Sequence, residues 1–89
     1  MWTDDQIKGK ILHKLTRRGK FEHSHTALEN LQDGLPSDLK GRAKEMTAEL
    51  IREGILHLKN TNYGKQVSIN LANKEKVMSY IDEFLNMAY

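Results

Sequence analysis

The 89-residue chain contains no cysteine, which excludes disulfides, thiolate nucleophiles and cysteine-based zinc sites. No apolar run approaches the roughly 20 residues that a membrane-spanning helix requires. The N-terminus, Met1-Trp2-Thr3-Asp4-Asp5, is acidic and lacks the apolar stretch of a signal peptide, so a cytoplasmic protein is expected. There is no glycine-rich phosphate loop, no nucleophile motif and no carboxylate pair with a reason to be buried; Asp82-Glu83 falls on the polar side of a helix. A chain this short also has little room for a deep cleft, so neither a catalytic residue nor a cofactor is expected. His23 and His25 are spaced to share one strand face, but a metal site needs three or four ligands and only His13 and His57 remain. Repeats, linkers and low-complexity segments are absent as well, so residues 1–89 read as a single domain.

What is present is a folding composition with its charge unevenly spread. Hydrophobic residues make up 38% and charged residues 29%, which suits a packed domain rather than a disordered one. The net charge of +2 conceals four blocks. Residues 1–20 carry +4, residues 21–36 carry −3, residues 37–65 carry +2, and residues 66–89 carry −1. Clustered positive charge matters more for binding a polyanion than the net value does.

The spacing predicts a first helix over about 4–18. Thr3 is the N-cap with Gln6 at the capping-box position, and Trp2 and Ile7 stand where a hydrophobic staple forms. Ile7, Ile11, Leu12 and Leu15 make its buried stripe, and Gly19 ends it. Phe21 to His23 reads as a short extended link or a one-bridge strand. Thr26 and Glu29 form a second capping box, predicting a short helix with Leu28 and Leu31 inward that stops near Asp33-Gly34. Pro36, the sole proline, forces Leu35 out of the α region and separates this helix from the next. Ser37 is the next N-cap. The third helix, about 38–53, turns Leu39, Ala43, Met46, Leu50 and Ile51 inward and Gly41, Lys44, Glu45, Ala48 and Arg52 outward, and Gly54 ends it.

Two alternating runs follow, Leu56 to Leu58 and Val67 to Leu71, joined by the turn-forming loop 60–65. Leu56 and Leu58 are expected on the inner face with Val67, Ile69 and Leu71, leaving His57, Lys59, Gln66, Ser68 and Asn70 outside. Asn73 is expected to cap a last helix, about 74–87, bearing Val77, Met78, Ile81, Phe84 and Leu85. Tyr80 and Met87 widen its apolar arc to about half the circumference. Tyr80, Phe84 and Met87, with Tyr89 beyond them, are therefore candidates for a homodimer interface, or else Tyr80 and Met87 cover the first helix.

A helix running directly into a β-hairpin with lysines near its tip resembles the winged helix-turn-helix superfamily. The residues that carry the resemblance are Ala43-Lys44, the run from Glu49 to Leu56, and the run from Tyr63 to Asn70. They make the chain similar to small stand-alone archaeal winged-helix DNA-binding proteins over most of its length, from residue 4 to about 85. It departs from them at Leu71-Ala72, where such chains often have proline. The resemblance implies an α+β fold of order α-(β)-α-α-β-β-α. It further implies a small transcription regulator or chromatin-associated factor, with the recognition helix in the major groove and the wing, 59–66, on the flank. Ser37, Lys40, Gly41, Arg42 and Lys44 would meet the DNA from the helix, Lys59, Asn62, Tyr63 and Lys65 from the wing. Lys14, Arg17 and Lys20 would extend the phosphate track. Two other readings stand beside this one, because four acids among residues 37–65 dilute the basic face. They are a protein-interaction module within a larger assembly and an RNA-binding winged helix.

Overall fold

In the computed structural model, which describes residues 2–87, Thr3 starts the first helix as its side chain predicts. Thr3 Oγ1 accepts from the Gln6 N–H at 3.1 Å, and Gln6 Oε1 accepts from the Thr3 N–H at 2.8 Å. Helix α1 then runs Asp4–Arg17. Gly19, at φ +65°, reverses the chain in the left-handed region that glycine adopts without strain. The stripe Ile7, Ile11, Leu12 and Leu15 is fully buried. Gly9 is buried for a separate reason: a Cβ there would strike the carbonyl oxygen of Tyr80 and come within 2.8 Å of Phe84 Cβ.

Residues 20–27 hold the edge of a three-stranded antiparallel sheet. Phe21 makes the expected single bridge, parallel, to Ile69. Glu22 then turns with a positive φ of 49°, and strand β1 (Thr26–Ala27) pairs antiparallel with Val67 and Gln66. Thr26 is thus a strand residue and not the N-cap predicted for it. The short second helix is only a 3-10 turn, Leu28–Gln32, without a side-chain cap, because β1 holds the residues that would form its first turn. Leu31 is nonetheless buried as predicted.

A second 3-10 turn, Ser37–Leu39, leads into helix α2 (Lys40–Arg52). Ser37 does not cap it; neither the turn nor α2 has a side-chain cap. Ala43, Met46 and Leu50 are buried on its inner face. Gly54, at φ +76°, closes the helix, with the Ile55 N–H donating to Leu50 O at 2.9 Å. Strands β2 (Leu56–Thr61) and β3 (Gly64–Ile69) form a hairpin in the register Leu56↔Ile69, Leu58↔Val67, Asn60↔Lys65, and the sheet order is β1-β3-β2. The strands extend further than the sequence predicts and leave only Asn62 and Tyr63 at the tip.

Three expectations about the hairpin are corrected: Leu71, expected on the inner face of the second strand, lies beyond the end of β3 in a 3-10 turn and is 46% exposed. Ser68 is fully buried, because the Glu22 segment lies over it and Ser68 Oγ donates to Glu22 O at 2.8 Å. Leu58 is 41% exposed, because β2 runs out beyond the core here. A 3-10 turn, Leu71–Asn73, precedes helix α3 (Lys74–Asn86). Asn70, rather than Asn73, supplies the cap, accepting from the Ala72 N–H at 3.0 Å. Asn73 does not cap α3, and the amides of Asn70 and Asn73 both donate to the Gly54 carbonyl at 2.9 Å. On α3, Val77 and Ile81 are buried, while Tyr80 is half-buried against the core. Met78 and Leu85, expected inside, stand outside at 47% and 41% exposure, because the arc Val77–Tyr80–Ile81–Phe84 is the one that meets α1. No helix among the described residues is long and apolar enough to cross a membrane.

Candidate nucleic-acid interface

α2 and the hairpin present the residues singled out for contact, and the structure divides that set. Ser37, Lys40, Gly41 and Lys44 are exposed at the start of α2. The Cβ position of Gly41 has nothing within 4 Å, so the backbone is open to close approach. At the hairpin tip Tyr63 is 94% exposed and Asn62 stands beside it. Thr61 holds the tip's shape: its hydroxyl donates to Gly64 O at 2.7 Å and accepts from the Tyr63 N–H at 3.2 Å. Gly64, at φ +108°, supplies the positive φ the turn requires.

Lys59 and Lys65 cannot serve one surface together. Directly paired residues share a face, and adjacent residues alternate. Lys65 pairs with Asn60 and therefore lies on the face of Leu58 and Val67, whereas Lys59 pairs with Gln66 on the opposite face. Lys65 faces α2; Lys59 faces away from it.

Two predicted cations are already engaged. Arg42 donates to Trp2 O at 3.0 Å and to Asp4 Oδ1 at 2.6 Å, tying α2 to the start of α1. The Lys14 ammonium, its side chain only 13% exposed, donates to the carbonyls of Asn30 and Asp33 at 2.6 and 3.1 Å. Burial lowers its pKa, Asp33 offsets part of that, and Arg18 and Lys10 lower it further. Both residues thus help to anchor the fold. Arg17 is exposed; Lys20 is half-buried and spends its carbonyl on the Ile69 N–H.

Two of the four acids thought to dilute the basic face prove to be turned to α1. Glu49 and Glu53 flank Lys8 of α1, with Nζ at 2.9 Å from Glu49 Oε1 and 3.0 Å from Glu53 Oε2. The Tyr80 hydroxyl donates to Glu53 at 2.7 Å, and the Lys8 ammonium lies 5.2 Å from the Tyr80 ring centre. Burial pulls the Lys8 pKa down, but the bonds to Glu49 and Glu53 outweigh it and hold the pKa well above the ordinary lysine range. Burial likewise raises the Tyr80 phenol, helped by Glu53. One signal for this cluster was present in the sequence: Lys8 shares a helical face with Leu12 and Leu15, and Glu49 and Glu53 are one turn apart.

Two of the aromatic residues proposed for a homodimer face, Tyr80 and Phe84, have partners within the domain. Phe84 stacks on Trp2 at 6.1 Å between ring centres and meets His13 at 5.5 Å, with the Lys10 ammonium 5.2 Å from its ring centre. Tyr80 and Phe84 therefore pack toward α1, the alternative role foreseen for Tyr80. Met87 is half-buried, and Tyr89 lies outside the described residues. His13 is held below the ordinary imidazole pKa by burial and by Arg17 and Lys10. No group of three or more metal-ligating side chains occurs among the described residues.

Between α2, the Leu28–Gln32 turn and the hairpin lies an open groove of about 700 Å³. Leu28, Ala48, Ile51 and Leu58 give it an apolar floor, and Lys44, Arg52, Lys65 and Glu29 stand among its walls. The sequence alone did not reveal this groove, because it depends on Leu58 staying outside the core. No protein family, curated protein or solved structure matches the chain.

Proposed function

We propose that the domain is a winged helix-turn-helix that binds nucleic acid, duplex DNA foremost, with α2 in the major groove and the hairpin as the wing. The order of elements supports the reading: a short turn in the place of the second helix, then α2, the Gly54 stop and an immediate hairpin. A single observation carries it. Because Glu49 and Glu53 are turned to Lys8, the outward side of α2 keeps Lys40, Lys44 and Arg52 against Glu45 alone, with Lys65 across the groove. Ser37 and the open backbone at Gly41 suit phosphate contact at the start of α2. Such a protein acts as a small transcription regulator or chromatin-associated factor, in the cytoplasm.

The test is a titration of duplex DNA at two salt concentrations. Three to four phosphate contacts give a slope of about −2.7 to −3.6, so affinity falls roughly 40- to 150-fold between about 50 and 200 mM salt. Lys65→Glu should weaken binding more than Lys59→Glu, since only Lys65 faces α2. Binding that is absent at low salt, or indifferent to salt, rejects the reading. Competition with structured RNA separates the two nucleic acids.

A further inference from the structure

The groove beside α2 is chemically unlike a surface that only grips phosphate. Its floor is apolar, with Ile51 half-buried and Leu58 41% exposed, and phosphodiesters gain nothing from covering it. Its cations stand at separate places. Lys44 and Arg52 lie eight residues apart on α2, about 12 Å along the axis at 1.5 Å per residue, and Lys65 faces them from the hairpin. Among the described residues none of the three is in an ion pair. Glu29, on the wall formed by the Leu28–Gln32 turn, is the one acid and repels a carboxylate from that side.

We infer that this groove docks an amphipathic helix of a partner protein, its apolar anchors bracketed by acidic residues about seven or eight positions apart. The apolar anchors cover Leu28, Ala48, Ile51 and Leu58. The bracketing acids reach Lys44 at one place and Arg52 at another, Lys65 faces them from the hairpin, and Glu29 fixes which edge of the helix faces the turn. A ligand with a single anionic head satisfies only one of these positions. The inference does not rest on nucleic-acid binding and is tested without nucleic acid.

The experiment titrates the full chain, observed by amide NMR, with a synthetic helix of about 15 residues carrying leucine anchors at one-turn spacing and glutamates about seven positions apart. Shifts are expected at Ala48, Ile51, Leu58 and Lys65, and not on the outer side of α3. Leu58→Ser removes a half-exposed anchor without emptying the core and should weaken binding roughly tenfold. Arg52→Glu with Lys65→Glu should weaken it about tenfold together, and a peptide with lysine in place of glutamate should recover binding to that double variant alone. The inference is overturned if the glutamate helix causes no shifts. It is also overturned if a peptide with serine in place of leucine binds equally well, which would make the surface a polyanion site only. Saturation of the groove by decanoate under conditions where the helix does not bind overturns it too.

Discussion

Replacing Lys8 with methionine tests whether the Lys8–Glu49–Glu53–Tyr80 cluster holds α2 in place. The substitution keeps the aliphatic stem and removes the charge, so packing is nearly preserved. Leaving a buried charge without its partner costs about 3–5 kcal/mol when the site is dry. Here the carboxylates are not dry: the side chains of Glu49 and Glu53 are 39% and 27% exposed, so water takes over part of the lost contact. Glu53 also keeps the Tyr80 hydroxyl. The expected loss is therefore about 2 kcal/mol, the lower part of the range after discounting for hydration. For a domain of this size that lowers Tm by roughly 10 °C. Lys8→Ala should cost about 1–2 kcal/mol more, from the cavity left by the stem. Urea unfolding followed by circular dichroism measures both, and a double-mutant cycle with Glu53→Gln should return a coupling of about 1 kcal/mol. If Lys8→Met leaves stability within about 0.5 kcal/mol of the parent, the cluster does not hold α2 and this reasoning fails.

Gly9→Ala reverses the usual sign for a helix: propensity gives back about 1 kcal/mol, but the added carbon meets the Tyr80 carbonyl where α1 and α3 touch. A net loss of about 1–2 kcal/mol in thermal unfolding is expected, and a gain would show that the two helices separate easily. Gly41→Ala should do the opposite, adding about 0.5 kcal/mol of stability because nothing surrounds that site, while weakening duplex DNA binding. Unchanged affinity in a filter-binding or anisotropy titration would mean that DNA does not approach the backbone there. Glu22 gives a pH dependence. Its pKa is held below the usual carboxylate value, first by the Leu71 N–H at 2.7 Å and then by His57 at 3.3 Å. Its contribution is present above the unfolded carboxylate pKa and is lost as pH falls through the depressed folded value. Glu22→Gln should flatten the acid limb of the stability-versus-pH curve below about pH 4.5, and an unaltered limb would remove Glu22 from the account.

Much of the fold was legible because its signals are local. The Thr3–Gln6 box, the Gly19 and Gly54 stops and the stripe from Ile7 to Leu15 each depend on residues within a turn or two. What the sequence hid are partners brought together by the fold: Lys8 with Glu53 across 45 residues, Arg42 with Asp4 across 38, and Glu22 with Leu71 across 49. Periodicity tells which face of a helix a residue occupies, not which charge waits on the neighbouring element. The short second helix failed for the same reason, since Thr26 is an adequate N-cap until β3 claims it as a strand partner.

The candidate interface changes most under this distinction, because charge counted by segment is not charge presented. Residues 37–65 hold six cations and four acids. Arg42 is engaged by Asp4, and Glu49 and Glu53 by Lys8, which leaves five cations against Asp38 and Glu45. The surface offered by α2 and the hairpin is thus more positive than its sequence suggests. Since Lys59 lies on the far face of the hairpin, the concentration falls on Lys40, Lys44, Arg52 and Lys65. Attraction for a polyanion depends on that local set. A Lys8 variant should therefore touch function as well as stability: with the ammonium gone, Glu49 and Glu53 keep their charge but lose their counterion, and the potential beside α2 becomes more negative. Lys8→Met is expected to weaken DNA binding even at temperatures where it is fully folded, and the Lys8→Met, Glu49→Gln, Glu53→Gln triple variant to restore it. Weak binding that persists in the triple variant would mean that the charge balance around Lys8 does not govern the interface.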